Sequence, residues 1–541
     1  MTKKHFRLIL PDEGQDIFML RKGQEWGYRY GPSIIVHDGI CEGWFASPGD
    51  CFEADWFTYR RSTDGGKTWS DERVVMTPTP HSMDWFSVCD PAVFKYGDYY
   101  YIGYTSTIFA DAGGVCNNGF VARSASPTGP FEKWNGNGWG ETRETANGTL
   151  HWIGKPAPVI YYDEDWHDWG AGEFSFVVKD TTLYIYYTWS SRKADGSLYS
   201  ETRVATADVT DPNWPGHLTY HGTAAVRNSG SNDSYDVVYC EDLDKFIALA
   251  TDRRFTKDSF LSVSESDDGL HFTRVNEIRV NTSFMLHNCG ISGDCLHHIR
   301  KGDVMLLGYA YGNKWGCWGT RLHRYDFEAM DEPFYSETDQ PNIQREVVFW
   351  ERPDPIWDII LTAPAPHYLR LSPGDSLELS MRVMNTCYET REVNEGILYD
   401  NFDPAVIEIR DGTVFAKQIG YTYVDAHFEG LFSEFLIYVD DPDMCYDKET
   451  RELTSFTPML TNYRISLSAG EKKQIRGMAT WSDGNFFEIC EPKDGVTFEN
   501  LAPELLLVDE DGTVRARGIA GTGQVRVRCG AFAFTVDVTV F

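Results

Sequence analysis

The sequence predicts an all-β protein, a five-bladed β-propeller followed by two small β-sandwich domains. Three observations carry this. One motif recurs five times in the first 350 residues: a short apolar run, a turn, an aromatic run and then a third run. Turn dipeptides such as Asp38-Gly39, Asp64-Gly65 and Asp268-Gly269 separate the runs, as hairpins require, and strong helix signals are lacking. Two later segments, 360–445 and 455–541, repeat each other's landmarks.

In chain order, residues 1–25 read as a lead-in and 26–350 as the propeller. The copies begin GPSIIVHDGICEGWFAS at Gly31, DPAVFKYGDYYYIGYTS at Asp90 and EFSFVVKDTTLYIYYTWS at Glu173. The last two begin DVVYCEDLDKFIALAT at Asp236 and CGISGDCLHHIRKGDVMLLGYAYG at Cys289. Repeats of roughly 40–60 residues, each holding several short strands, are the mark of a propeller. Such a fold gathers the starts of the innermost strands around a central cavity. Asp90, Glu173 and Asp236 stand at those starts, which points to acid–base chemistry on a small polar substrate. The long insertion of the second copy, TIFADAGGVCNNG and then NGWGETRETANGTLHWIGKP, would wall the cavity into a pocket. A polar segment with three prolines leaves the repeats from Ser336.

The C-terminal segments contain LSPGDSLEL and LSAGEKKQI, then FDPAVIEIRDGTVFAKQIGYT and APELLLVDEDGTVRARGIAGT. Alternating strands with glycine turns at this size read as β-sandwiches. Their Asp-Gly-Thr-Val-x-Ala stretches, Asp411 to Ala416 and Asp511 to Ala516, resemble bacterial immunoglobulin-like domains of the group 2 kind. That resemblance implies spacer or packing modules without chemistry of their own.

A formal net charge of −32 repels phosphate backbones and anionic membranes, so nucleic acid is excluded as a partner and a neutral carbohydrate fits better. No apolar run is long enough for a transmembrane helix, so no membrane insertion is expected. MTKKHFRLILPDEGQD is not a signal peptide, and the twelve Cys lack zinc-type spacing and read as buried reduced thiols. Both favour the cytoplasm; a leader removed beforehand would mean secretion. Aromatic residues are 14% of the chain, which suits strands and also suits stacking on sugars. Oligomeric state is not legible.

Ser62 to Trp69 (STDGGKTW) has the form of an Asp box, and Ser266 to Phe272 is a degenerate relative; both brace hairpins. Sialidases carry such boxes, but the arginine cluster they need for a carboxylate cannot be assembled from this sequence.

Glycosidic cleavage needs one acid to protonate the leaving oxygen and a second carboxylate as base or nucleophile. Asp90 in SVCDPAVF and Glu173 in GAGEFSFVV precede apolar strands at the same place in the repeat. This pattern resembles the five-bladed-propeller glycoside hydrolases, including the arabinanase/β-xylosidase and invertase groups. The resemblance implies a base or nucleophile Asp in blade one, an orienting Asp in blade two and a general-acid Glu in blade three. Asp90 matches the second role and Glu173 the third. Blade one has Gly31 in YRYGPSII, where those families have Asp. Asp236 is the expected substitute, with Asp84 and Asp55 as further choices.

Arg29 in Tyr28-Arg29-Tyr30 is a candidate to bond a substrate carboxylate or a catalytic Asp, or else to form an ion pair at a strand edge. His287 and Asn288, with Asp84, Trp85 and Trp315, complete the expected substrate-binding set; Trp169 and Trp318 are further candidate sugar platforms.

Three functions stay open. The first is a glycoside hydrolase releasing a neutral sugar with no required cofactor. The second is a metal-dependent amino-sugar N-deacetylase, with Asp84 or Asp90 and His287 on a divalent cation; propellers of that activity are similar in outline. The third is a non-catalytic glycan-binding propeller.

Overall fold

The computed structural model describes residues 3–19, 27–48, 55–70, 72–79, 84, 87–111, 114–144, 150–153, 156–162, 169–192, 198–227, 233–314, 316–343 and 356–361. Beyond these it describes 368–385, 390–393, 395–418, 420–429, 431–439, 452–458, 464–467, 472–475, 477–481, 486–489, 492 and 495–540. Among them the structure is nearly all β, and the single helical element is the 3-10 turn Trp214–Gly216. No helix there is long and apolar enough to cross a membrane.

The recurring motif folds into four-stranded antiparallel arrays; a parallel pairing of Gly170 with Asn117 joins the second and third into one eight-stranded sheet, and two short strands extend the fourth to six. The first contains Tyr30–His37, Ile40–Pro48, Asp55–Ser62 and Arg73–Met76. Its opening hairpin turns on Asp38 and Gly39, both at positive φ (+50° and +76°), the two-residue turn that matches strand twist. The second contains Cys89–Tyr96, Tyr99–Asp111, Gly114–Ser124 and Glu132–Lys133. The third contains Gly170–Lys179, Thr182–Arg192, Leu198–Asp208 and Thr219–Arg227. The fourth contains Asp236–Cys240, Lys245–Asp252, Phe260–Ser266 and Thr273–Ile278.

The fifth sheet differs in one respect. Leu286–Ile291, Leu306–Lys314 and Cys317–Arg324 come from the last repeat, but the outer strand is Gln15–Phe18. His5–Ile9 likewise pairs with Asp326–Met330. The segment expected to be a separate lead-in therefore belongs to the sheets, because the last repeat leaves an unpaired edge that the N-terminus covers.

One stretch of chain ties the innermost strands together at their C-terminal ends. Carbonyls of Gly293, Cys295, Leu296 and His297 accept, in turn, the N–H groups of Val36, Lys95, Val178 and Tyr239, one from each of the first four sheets. The chain thus visits the sheets in sequence order within five residues, Gly293 to His297, which places these strand ends around one small perimeter. A cavity of about 650 Å³ lies at this end, lined by His37, Lys95, Asp294, Cys295 and Arg300 among others. The cores between neighbouring sheets are aliphatic and aromatic; Leu249, Leu261, Leu286 and Tyr309, all fully buried, form part of one cluster.

Both Asp boxes form as expected. Asp64 Oδ1 accepts the N–H groups of Lys67 and Thr68, and Asp268 Oδ1 those of Leu270 and His271. Asp64 is pulled below the usual carboxylate range, led by its bonds from Thr68; for Asp268 burial opposes the same shift, and bonds from the His271 ring, Leu270 and Ser266 outweigh it. Cys41, Cys89, Cys240, Cys289 and Cys295 are free thiols.

A second compact unit consists mainly of Asp358–Val383 and Thr390–Phe541. Within it one strand-pairing scheme occurs twice. Tyr368–Leu371, Leu431–Val439, Gly420–Phe428 and Leu398–Asp400 form one four-stranded sheet; Arg464–Leu467, Phe532–Val540, Gly521–Cys529 and Val496–Asn500 form its counterpart. Each comes with a three-stranded sheet containing its Asp-Gly-Thr-Val hairpin.

Candidate active site

The opposite, N-terminal ends of the innermost strands carry the chemistry. Four of them bulge near their start, with register shifts at Tyr30/Ser33, Cys89/Ala92, Gly172/Ser175 and His287/Cys289. The bulged residues are Gly31, Asp90, Glu173 and Asn288, and all have positive φ: +54°, +56°, +50° and +28°. A left-handed residue other than glycine costs roughly 1–2 kcal/mol. Residues held so cluster at functional sites. The strain turns successive polar side chains out of the strand direction.

Asp90 is half-buried among acids. Burial, with the Asp55 and Asp233 carboxylates nearby, pushes its carboxyl up to about 7, against hydrogen bonds from Thr105 and Cys89. Asn288 Nδ2 lies 3.3 Å from Asp90 Oδ1, while Asn288 Oδ1 is buried without a hydrogen-bond partner. Glu173 is 9% exposed. Its carboxylate accepts a bond from Thr188 Oγ1 at 2.5 Å, and its N–H donates to Thr105 Oγ1 at 2.7 Å. Gly172 makes that approach feasible, since a Cβ there would stand 2.4 Å from Thr105 Oγ1.

The sheet that contains Gly31 brings another carboxylate near Asp90. Asp55, at the start of the third strand, is buried; Tyr28 donates to its Oδ1 at 2.7 Å, and Tyr30 bonds it as well. Burial raises Asp55 to about 7 despite these two hydroxyls. Burial, Asp55 and Asp90 push the Tyr30 phenol well above its ordinary value.

A third acid stands nearby. Asp233, buried, accepts bonds from Arg254 Nη1 (2.9 Å), His287 Nδ1 (3.0 Å) and Asn288 N–H (3.0 Å). Burial opposes its charge, but these partners outweigh it and hold the carboxyl well below the usual range. Arg254 is raised chiefly by Asp233, and Glu173 and Asp90 add to the effect. Burial lowers His287, so it is a neutral imidazole bonded to Asp233 through Nδ1–H. Its ring packs on Trp318 (4.5 Å between centroids), Phe255 (4.7 Å) and Tyr30 (5.5 Å).

Asp236 stands elsewhere than the repeat suggested. Its Oδ2 accepts Ile291 N–H at 2.7 Å, and its Oδ1 accepts Ser175 Oγ at 2.7 Å and Val237 N–H at 3.1 Å. Ser33 Oγ accepts Val93 N–H and Ser175 Oγ accepts Val237 N–H, each at 2.9 Å. Asp236 thus continues a series of clasps between successive innermost strands. Its strand shows no bulge, so the apolar run begins two residues deeper, and Ser234 holds the place of Asp90 and Glu173.

Three other expected residues are placed as follows. Arg29 is buried in an ion pair with Glu72, which also accepts from Thr58, so the strand-edge ion pair is what forms. Asp84, fully buried, pairs with Lys133 and accepts from Tyr104 Oη. Trp318 is buried as a wall behind His287 and not offered as a platform. Trp85 and Trp315 lie outside the described residues. Sequence reading missed Asp233 and Arg254. Asp233 stands three residues before Asp236 in NDSYD, so the acid that meets His287 is a neighbour in sequence of the one the repeat marks. Nothing periodic marks Arg254, which sits between Arg253 and Phe255, both at positive φ (+48° and +60°).

Comparisons with known proteins add the following. A Bacterial Ig-like domain family matches residues 494–541. A search of curated protein sequences finds no match. Among solved structures, the chain is similar to Zg3597, a family 117 glycoside hydrolase of the marine bacterium Zobellia galactanivorans (16% identity, 65% of this chain and 96% of that one, TM-score 0.42). It is also similar to the α-L-arabinofuranosidase PaAbf62A of Podospora anserina in complex with cellotriose (11% identity, 59% and 99%, TM-score 0.39). The endo-arabinase of Bacteroides thetaiotaomicron is a third (14% identity, 57% and 97%, TM-score 0.36).

Proposed function

We propose that the chain is a glycoside hydrolase on a five-bladed β-propeller carrying two immunoglobulin-like domains, and that it releases a neutral sugar by carboxyl acid–base catalysis. The observation that carries this reading is the convergence of Asp55, from a third strand, with Asp90 and Glu173 at the starts of neighbouring innermost strands, two of the three held at about 7. A general base works best when its pKa lies near the operating pH. Three clustered carboxyls in the interior of a fold cost stability, and carboxyls so perturbed collect at functional sites.

Glu173 donates the proton to the leaving oxygen, the role that the third-blade position implies. Asp55 is the carboxylate that replaces the acid lacking at Gly31, and it serves as base or nucleophile. Asp90 lies between them and orients the sugar, its own carboxyl raised first by burial and then by the Asp55 charge. Asp233, neutralised by Arg254, fixes His287 and Asn288, whose buried Oδ1 is a ready acceptor for a sugar hydroxyl. Asp236 and Asp84 have no place in this reaction: one clasps strands and the other neutralises Lys133. The deacetylase reading loses Asp84 by the same ion pair, and His287 Nδ1 faces Asp233 instead of Asp90.

Mass spectrometry of a mixed oligosaccharide panel, with N-acetylated and pentose-containing members, tests this. Loss of a whole sugar unit is expected. Loss of an acetyl group alone, or binding without product, would refute it.

A further inference from the structure

The twofold repeat in the C-terminal unit allows one copy to be read against the other. In the second copy, Glu499 stands opposite Arg526 across an antiparallel pair, with Arg528 two residues on. Arg526 Nη1 lies 3.1 Å and Arg528 Nη2 3.9 Å from Glu499 Oε2. The acid is balanced by two cations. The same register in the first copy sets Asp400 opposite Asp425, with His427 two residues on. Gly420 and Gly521 begin the two long strands and pair with Val439 and Val540, so Asp425 corresponds to Arg526 and His427 to Arg528. Where one copy has an acid and two arginines, the other has two acids and a histidine.

Like charges directly opposite on a sheet repel. Asp425 is fully buried. Asn401 Nδ2 donates to its Oδ2 at 2.8 Å, while its Oδ1 is buried without a hydrogen-bond partner. His427 Nε2 lies 3.2 Å from Asp400 Oδ1, and one ligand atom from each of the three residues falls within 4.8 Å of the others. An orphaned carboxylate oxygen, a second carboxylate and an imidazole nitrogen converge where the sister copy keeps its positive charge.

We propose that Asp400, Asp425 and His427 form a binding site for a divalent transition ion of the zinc type, which replaces the arginine charge of the second copy and fastens the Leu398–Asp400 strand to its neighbour. One imidazole and two carboxylates match the three protein ligands of an open zinc site, with water completing the shell. The nitrogen donor disfavours calcium and magnesium, which take oxygen ligands. The acids proposed for catalysis belong to the other unit of the chain, so the role assigned to this ion is stability.

Calorimetric titration of Zn²⁺ into the full chain, alongside melting curves with and without Zn²⁺, tests the proposal. Wild type is expected to bind one more equivalent than Asp425→Arg or His427→Ala, and only wild type should melt higher with Zn²⁺. Asp425→Arg rebuilds the arrangement of the second copy, so without metal it should melt at or above wild type; this shows that its lost response is not misfolding. Equal Zn²⁺ uptake by wild type and both variants would overturn the site. An equal response to Ca²⁺ would overturn the assignment to a nitrogen-binding ion.

Discussion

Asp90 and Glu173 occupy the same bulge of successive innermost strands, with φ of +56° and +50°, and Thr105 joins them: its Oγ1 accepts Glu173 N–H and bonds the Asp90 carboxyl. Thr105 is therefore a positioning residue for both acids. Its bond to Asp90 favours the ionised form, so removing it should raise the Asp90 pKa. Thr105→Val is expected to lower kcat/KM by roughly 10- to 100-fold, because small misplacements of catalytic groups carry losses of that size. The acid limb of the pH profile should move to higher pH. A profile that keeps its shape while activity falls would assign Thr105 to packing alone.

Glu173→Gln keeps the shape of the side chain and its acceptor for Thr188 while abolishing proton donation. Turnover of natural glycosides should fall about 10²–10⁴-fold, the usual contribution of general acid catalysis. Asp90→Asn should fall comparably. Circular dichroism and melting curves should stay near wild type in both. Full activity in Glu173→Gln would remove that residue from the mechanism.

Asp55 gives a prediction about stability with a definite sign. Its carboxyl titrates at about 7 in the fold against 3.8 ordinarily, so the native state binds the extra proton between those values. Stability contributed by the neutral form is present below about 3.8 and is lost as pH rises through about 7. Asp55→Asn removes this dependence. Its melting temperature should match wild type near pH 4 and exceed it most near pH 8, with a ceiling of about 4 kcal/mol at 1.36 kcal/mol per pKa unit. The same variant should be inactive. A constant difference across the pH range would place the Asp55 carboxyl in its ordinary range.

The sheets were legible in the sequence because their signals are local: apolar runs two or three residues from Asp-Gly turns. Asp90 and Glu173 were legible because a bulge places an acid directly before such a run. Asp236 sits at a different depth from Asp90 and Glu173 because the fourth innermost strand has no bulge, a fact of backbone register that no residue type announces. The contribution of Gln15–Phe18 to the fifth sheet depends on a pairing across the length of the repeats, beyond any local pattern. Asp55 and Arg254 reach the site from a third strand and from the loop after a second one, so no spacing rule joins them to Asp90.

Asp236 and Glu173 should separate by the kind of loss each produces. Asp236, half-buried, accepts two backbone N–H groups and the hydroxyl of the buried Ser175, bridging the third, fourth and fifth sheets. Asp236→Ala strands those donors, and each buried unsatisfied group costs about 1–3 kcal/mol. A drop in melting temperature is therefore expected, with reduced yield of folded protein. The folded fraction, measured well below its melting point, should keep a kcat within a few-fold of wild type, because no atom of Asp236 meets the substrate. If instead Asp236→Ala melts like wild type but loses turnover as Glu173→Gln does, the clasp assignment fails, and Asp236 returns as the third catalytic carboxylate in place of Asp55.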